Sequence, residues 1–200
     1  MSSLPKVLLL GDSIRLSYQP FVCEALVGKA QVVAPKENCQ FSLYTLASLD
    51  RWLEDLGKPD MVHWNNGLHD CGHNPRRNPI QIPIEMYIAN LQFILKRLRE
   101  LTLKVIWATT TPVHPYCQFD TNKWSWRNSE IDKYNEAARE LMDKYNVPVN
   151  DLHSLVLDKA DEYLSEDHLH LSEVGQKDCA EAVIDIVGAY MQDNNRGAVA

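Results

Sequence analysis

The sequence has no apolar run long enough to cross a bilayer; its longest, residues 7–10, is strand-sized. It also lacks an excess of basic residues. Lys and Arg number 20 against 27 Asp and Glu, a formal charge of −7, and the one basic stretch, Lys96 to Glu100, reads equally well as a solvated helix face. Such a chain repels a phosphate backbone, so nucleic acid is excluded as a partner. No glycine-rich phosphate loop or dinucleotide fingerprint occurs, so no organic cofactor is implied. The start, Met1-Ser2-Ser3-Leu4-Pro5-Lys6-Val7, lacks the charged segment, apolar stretch and cleavage site of a secretory leader. A cytoplasmic protein is expected, or a secreted one whose leader has been removed. Five cysteines, an odd number at wide spacings, cannot form a complete disulfide framework and are expected to be reduced.

What is present is ordinary globular material. Of 200 residues, 45% are hydrophobic and 24% charged. A chain of this length buries roughly 70% of its unfolded surface, so one domain over residues 1–200 is expected, with 192–200 a frayed tail. Short apolar runs at 6–10, 30–34, 61–64, 104–108 and 147–149 alternate with stretches of helical period at 43–56, 84–99, 129–145 and 172–191. That alternation predicts a parallel sheet of about five strands covered by helices. Pro20 lies inside the first helical stretch, so that helix is expected to begin at or after it. Ser129 is a plausible cap for the helix at 129–145. Pro148 places the last strand at a sheet edge. The longest irregular segments, 65–83 and 109–127, follow the third and fourth strands.

Ligands of open α/β sheets bind at the carboxyl ends of the strands, and polar residues gather there. Ser13 follows the first strand in Gly11-Asp12-Ser13. Its hydroxyl can stand at the rim of the sheet and its N–H can point at the oxygen of a bound acyl group, although a plain helix-capping serine reads the same way. Near the other end, Asp167-His168-Leu169-His170 sets a carboxylate three residues before an imidazole. In a loop, that spacing allows Asp167 to accept from Nδ1 of His170 and leaves Nε2 for a serine hydroxyl. The plainer alternative is that Asp167 satisfies backbone groups before the helix and both histidines are surface residues.

Taken together, residues 7–13 (Val-Leu-Leu-Leu-Gly-Asp-Ser), residues 60–70 and Asp167-x-x-His170 resemble the SGNH hydrolase superfamily, the GDSL-type esterases and lipases. The resemblance runs in the right order over nearly the whole chain. It implies a flavodoxin-like α/β/α sandwich, and Ser13 as nucleophile, His170 as general base and acid and Asp167 as the orienting carboxylate of an esterase. In the family's third block, usually Gly-x-Asn-Asp, this chain has Gly67-Leu68-His69-Asp70, so the oxyanion donors implied are the N–H of Ser13, the Gly67 region and His69, with Asn66 as a substitute for the missing asparagine. The second block normally supplies a glycine N–H; Lys36 to Gln40 contains no glycine, and Asn38 is the candidate.

Asp12, Trp124, Trp126 and Tyr116 are assigned to the substrate side, with Phe119, His114, Arg76, Arg77 and Arg127 nearby. Flat aromatic faces suit a sugar ring, although the tryptophans would serve equally to anchor a loop. The expected substrate is therefore a small-molecule or carbohydrate ester with a short acyl group, acetyl being the one expected. The alternatives are a lysophospholipase or thioesterase of the same fold, a metal-dependent hydrolase built on His69, Asp70, Cys71 and His73 with His168 and His170, and an inactive carbohydrate-binding domain. The preferred reading needs no metal. Cys39, Cys71 and Cys117 fall in the same strand-end loops and are expected to line the pocket as bystanders.

Overall fold

In the computed structural model, which describes residues 4–76, 80–102 and 104–197 and side chains to 191, five parallel strands form one sheet. They are β1 (Lys6–Leu10), β2 (Gln31–Val33), β3 (Met61–Trp64), β4 (Val105–Ala108) and β5 (Val149–Asn150), in the order β2-β1-β3-β4-β5. β1, β3 and β4 are covered on both faces, which is why they read as continuous apolar runs. β5 takes the edge, as Pro148 requires.

The order reverses between β1 and β3, and the crevice beyond their carboxyl ends is where such sheets bind ligands. Helices α1 (Ser13–Ala25) and α7 (Glu173–Gly197), with the short α5 (Leu152–Leu157) and α6 (Ala160–Tyr163), pack together; α2 (Ser42–Leu56), α3 (Ile84–Arg99) and α4 (Asn128–Lys144) form a second group. The result is the three-layer α/β/α sandwich expected.

Several boundaries differ from expectation. α1 begins at Ser13, seven residues before Pro20, because the Asp12 side chain accepts from the Ile14 N–H and caps the helix there, and because Ile14, Tyr18 and Val22 bury one stripe across the proline. α4 starts at Asn128, with Arg127 at the cap position. Ser129 does not cap it; Asn128 instead clamps the incoming chain, accepting from Val113 N at 3.0 Å and donating to Val113 O at 2.8 Å. α7 runs to Gly197, six residues beyond the expected helix end at 191, while 198–200 lie outside the described residues. α5 and α6 occupy a stretch for which no element was expected. Their signal was the Asp151 cap, which accepts from Ser154 N, followed by Leu152, Val156, Ala160 and Tyr163, all buried at three- and four-residue steps. Among the described residues no helix is long and apolar enough to cross a membrane.

Candidate active site

Ser13 is the first residue of α1, held over the end of β1 by the buried Asp12 cap. Its Oγ lies 3.0 Å from Nε2 of His170, and Nδ1 of the same ring lies 2.6 Å from Oδ2 of Asp167. The three groups thus form one hydrogen-bonded line although serine and histidine are 157 positions apart.

The loop that carries the imidazole is folded by its own carboxylate. Asp167 Oδ1 accepts from Leu169 N, His170 N and the Ser165 hydroxyl, each at 2.9 Å, and Ser165 N donates to His170 O at 2.8 Å. Asp167 therefore satisfies backbone groups and contacts the imidazole at once, one oxygen to each task. Partial burial pushes its carboxyl up, but the hydrogen bonds from the His170 ring, the His170 and Leu169 N–H groups and Ser165 outweigh this and hold it far below the usual carboxylate range. Beside it, His168 adopts a positive φ of 65° and its carbonyl accepts from His114 N at 2.9 Å.

Facing Ser13 is the segment after β3. Asn66 is fully buried and its amide is committed: Nδ2 donates to Gln40 O at 3.1 Å and to Thr45 Oγ1 at 2.9 Å, and Oδ1 accepts from the Trp64 indole at 2.8 Å. It is therefore not available as the substitute oxyanion donor. Gly67 follows at φ +154°, and a Cβ there would meet Thr110 Oγ1 at 2.1 Å, so only glycine fits this turn. Among the described residues the N–H groups of Ser13, Asn38 and Gly67 and the ring of His69 have no protein acceptor, whereas Cys39 N and Gln40 N are spent on Gly11 O and Asn38 Oδ1.

Asp70 turns the opposite way from His69. It is buried and accepts from Ser42 N at 2.9 and 3.0 Å and from the Ser42 hydroxyl at 2.5 Å. The carboxylate sits on the N-terminus of α2, where the local cap position, Phe41, supplies no side-chain acceptor. Burial raises its pKa to about 7 despite the Ser42 hydrogen bonds.

A further residue shaping the site is Arg15, which is 1% exposed. Its guanidinium donates to Gly11 O, Pro35 O, Glu37 O and Gln19, pinning the 35–39 loop to the turn that carries Ser13. The one signal in the sequence was a cation at i+4 from Gly11, on the stripe that otherwise carries Ile14, Tyr18 and Val22.

The metal-binding alternative finds no support in the geometry. His73 is paired with Glu130 and Arg127, Asp70 with Ser42, and the buried Cys71 thiol with Leu68 O at 3.6 Å. Among the described residues no three His, Cys, Asp or Glu side chains are placed to hold a metal.

The residues assigned to substrate separate on inspection. Asp12 is 1% exposed and turned into the protein by its capping bond, so it does not face the pocket. Trp126 anchors its loop, donating to Leu68 O at 2.8 Å and stacking on Trp124 at 6.0 Å. Trp124 is 37% exposed and meets His69 edge-on at 6.3 Å. Both indoles rest on Gly72, where a Cβ would lie 2.8 and 2.9 Å from them. Tyr116 stands 88% exposed against His114, lining a separate groove with Leu157 to Glu162. Arg127 bonds His73, and Arg77 lies outside the described residues. Cys39 and Cys71 are buried rather than lining the pocket, because they pack beneath these loops.

Residues 9–177 match the GDSL-like Lipase/Acylhydrolase family. The chain belongs to that family. Solved structures agree in fold: this GDSL-like protein superposes on the acetyl xylan esterase AlAXEase with a TM-score of 0.76 at 18% identity, covering 91% of this chain and 99% of that one. For the acetylxylan esterase Axe2 of Geobacillus stearothermophilus the TM-score is 0.70 at 17% identity, with 94% and 95% covered. For a GDSL-like lipase of Bacteroides thetaiotaomicron it is 0.69 at 16%, with 94% and 88% covered. No curated protein matches the chain in sequence.

Proposed function

We propose that this GDSL-like acylhydrolase is a serine esterase that removes short acyl groups, most simply acetyl, from carbohydrates. The observation that carries the reading is the unbroken line from Asp167 through His170 to Ser13, at 2.6 and 3.0 Å. In it, His170 Nε2 takes the Ser13 proton as Oγ attacks the ester carbonyl, and Asp167 holds the ring and offsets the charge that the imidazolium acquires. The oxyanion accepts from the Ser13 N–H at the positive end of α1, with the Gly67 and Asn38 N–H groups and His69 as further donors. Collapse expels the alcohol, which leaves with the proton from His170, and water repeats the cycle on the acyl-enzyme.

An acetyl ester of a sugar is favoured by the exposed face of Trp124 beside His69, which suits a sugar ring rather than an acyl chain. It is favoured too by the fold shared with two acetyl xylan esterases.

The test is hydrolysis of a chromogenic acetate and of acetylated xylo-oligosaccharides by the wild type and Ser13→Ala. Turnover is expected to vanish in the variant with the fold retained, and activity is expected to fall steeply from acetyl to longer acyl chains. Near-native turnover in Ser13→Ala, or loss of wild-type activity to a chelator, would overturn the serine mechanism. A preference for long acyl chains would overturn the substrate.

A further inference from the structure

Behind Ser13 lies a small, partly open pocket of about 10 Å³, about the space one water needs. Its lining mixes the apolar Ile14, Leu68 and Leu152 with polar residues: Asp12 and Tyr18 from α1 and its cap, Asn65 after β3, and Thr109, Thr110 and Thr111 after β4, with Arg15 alongside. Most of these groups have partners elsewhere. Asn65 Nδ2 donates to Ala108 O at 2.8 Å, Thr109 Oγ1 to Asp151, Thr110 Oγ1 to Asn66 O, and Arg15 to the carbonyls already described. Three buried atoms do not: Asp12 Oδ2, Tyr18 Oη and Thr111 Oγ1. Their residues are 1%, 1% and 3% exposed, so bulk water does not satisfy them. Tyr18 and Asp12 both line this space, one from the second turn of α1 and the other from its cap.

Orphaned polar atoms are rare in native interiors, and three around one water-sized space are a stronger pattern than any one alone. We infer that this cavity is a binding site for a single permanent water that bridges Asp12 Oδ2, Tyr18 Oη and Thr111 Oγ1. The water donates to the carboxylate, accepts from the phenol and exchanges a bond with the threonine hydroxyl, which serves in either role. Three partners are the usual number for a buried water. A metal cation would need more oxygens than three and would face the Arg15 guanidinium on the same wall.

The water also has a task, and this part rests on the esterase reading above. Asp12 Oδ1 fixes the Ile14 N–H and, through the water, Oδ2 is fixed to the loop after β4. The peptide between Asp12 and Ser13 is thereby held from both sides, and with it the direction of the Ser13 N–H that faces the oxyanion. Tyr18 and Thr111 are then positioning residues, touching no substrate themselves.

A crystal structure at high resolution and kinetics of Tyr18→Phe and Thr111→Val on a chromogenic acetate test both halves. One solvent peak within 2.6–3.2 Å of all three atoms is expected. A dry cavity, or an occupant ringed by five or more oxygens at ionic distances, would overturn the site. Each variant is expected to lower kcat by roughly tenfold at unchanged KM, since a displaced oxyanion donor acts on the transition state and not on substrate binding. Folded variants with wild-type kcat would overturn the positioning role, because a merely structural water lowers thermal stability alone. Should the wild type hydrolyse no ester, the esterase reading fails by itself, and the solvent peak still decides the site.

Discussion

Asp167 shows how much one side chain can carry: one oxygen folds the loop and the other meets the histidine. Asp167→Asn keeps the shape but inverts the hydrogen-bonding sense at Nδ1, so it is expected to lower kcat on the order of 10⁴-fold, as loss of the correct tautomer does, with KM little changed. Asp70 makes a different forecast. With a folded pKa of about 7 against ~3.9 unfolded, it binds its proton more tightly in the native state. Its contribution is therefore complete below pH 4 and lost as pH rises through 7, by about 4 kcal/mol at most. Asp70→Asn removes that dependence, so the difference in unfolding free energy between variant and wild type, measured by denaturant titration, is expected to grow across pH 4–7. A difference that does not vary with pH would remove Asp70 as its source. Ser13, Asp167 and His170, which the fold brings into one hydrogen-bonded line, could be grouped from the sequence because their order and spacing resemble a family pattern. Asp12 and Asp70 were singled out in other roles and Arg15 not at all, since each acts through partners in another loop or on a backbone turn that no local pattern announces.

Among the elements, the five strands were recognisable from apolar runs because the central ones are buried on both faces. α1 was misjudged at its start because a proline was weighed above a capping aspartate. Pro20 leaves the Leu16 carbonyl without its helical donor and is itself exposed. Pro20→Ala is therefore expected to stabilise the protein by roughly 1–2 kcal/mol, seen as a rise in Tm of several degrees at unaltered kcat. Gly67 is the opposite case. Gly67→Ala drives a Cβ into Thr110 at a backbone angle alanine resists, and a loss of roughly 2–4 kcal/mol in stability is expected from thermal unfolding. The short helices α5 and α6 escaped notice because four to six residues hold too few turns for periodicity to register.

At the scale of the molecule, the cysteines give a simple check on packing. All five are free, and Cys39, Cys71 and Cys179 are buried while Cys23 and Cys117 are partly exposed. A thiol reagent is expected to modify at most two in the native protein and all five after denaturation; a third fast-reacting thiol would contradict the packing around β1 and α7. The sandwich itself was readable because alternating apolar runs and helical stretches leave few arrangements open. Which polar residues meet across the sheet's rim was not, because that depends on loops whose shape is set by distant carbonyls.

The 157-residue separation between Ser13 and His170 also has a meaning in time. At translation speeds of about 5–20 residues per second, the ribosome adds the histidine roughly 8–30 s after the serine. Until then the nascent chain holds Ser13 without the imidazole that faces it in the folded protein, so under the proposed mechanism no turnover is possible before His170 has been made.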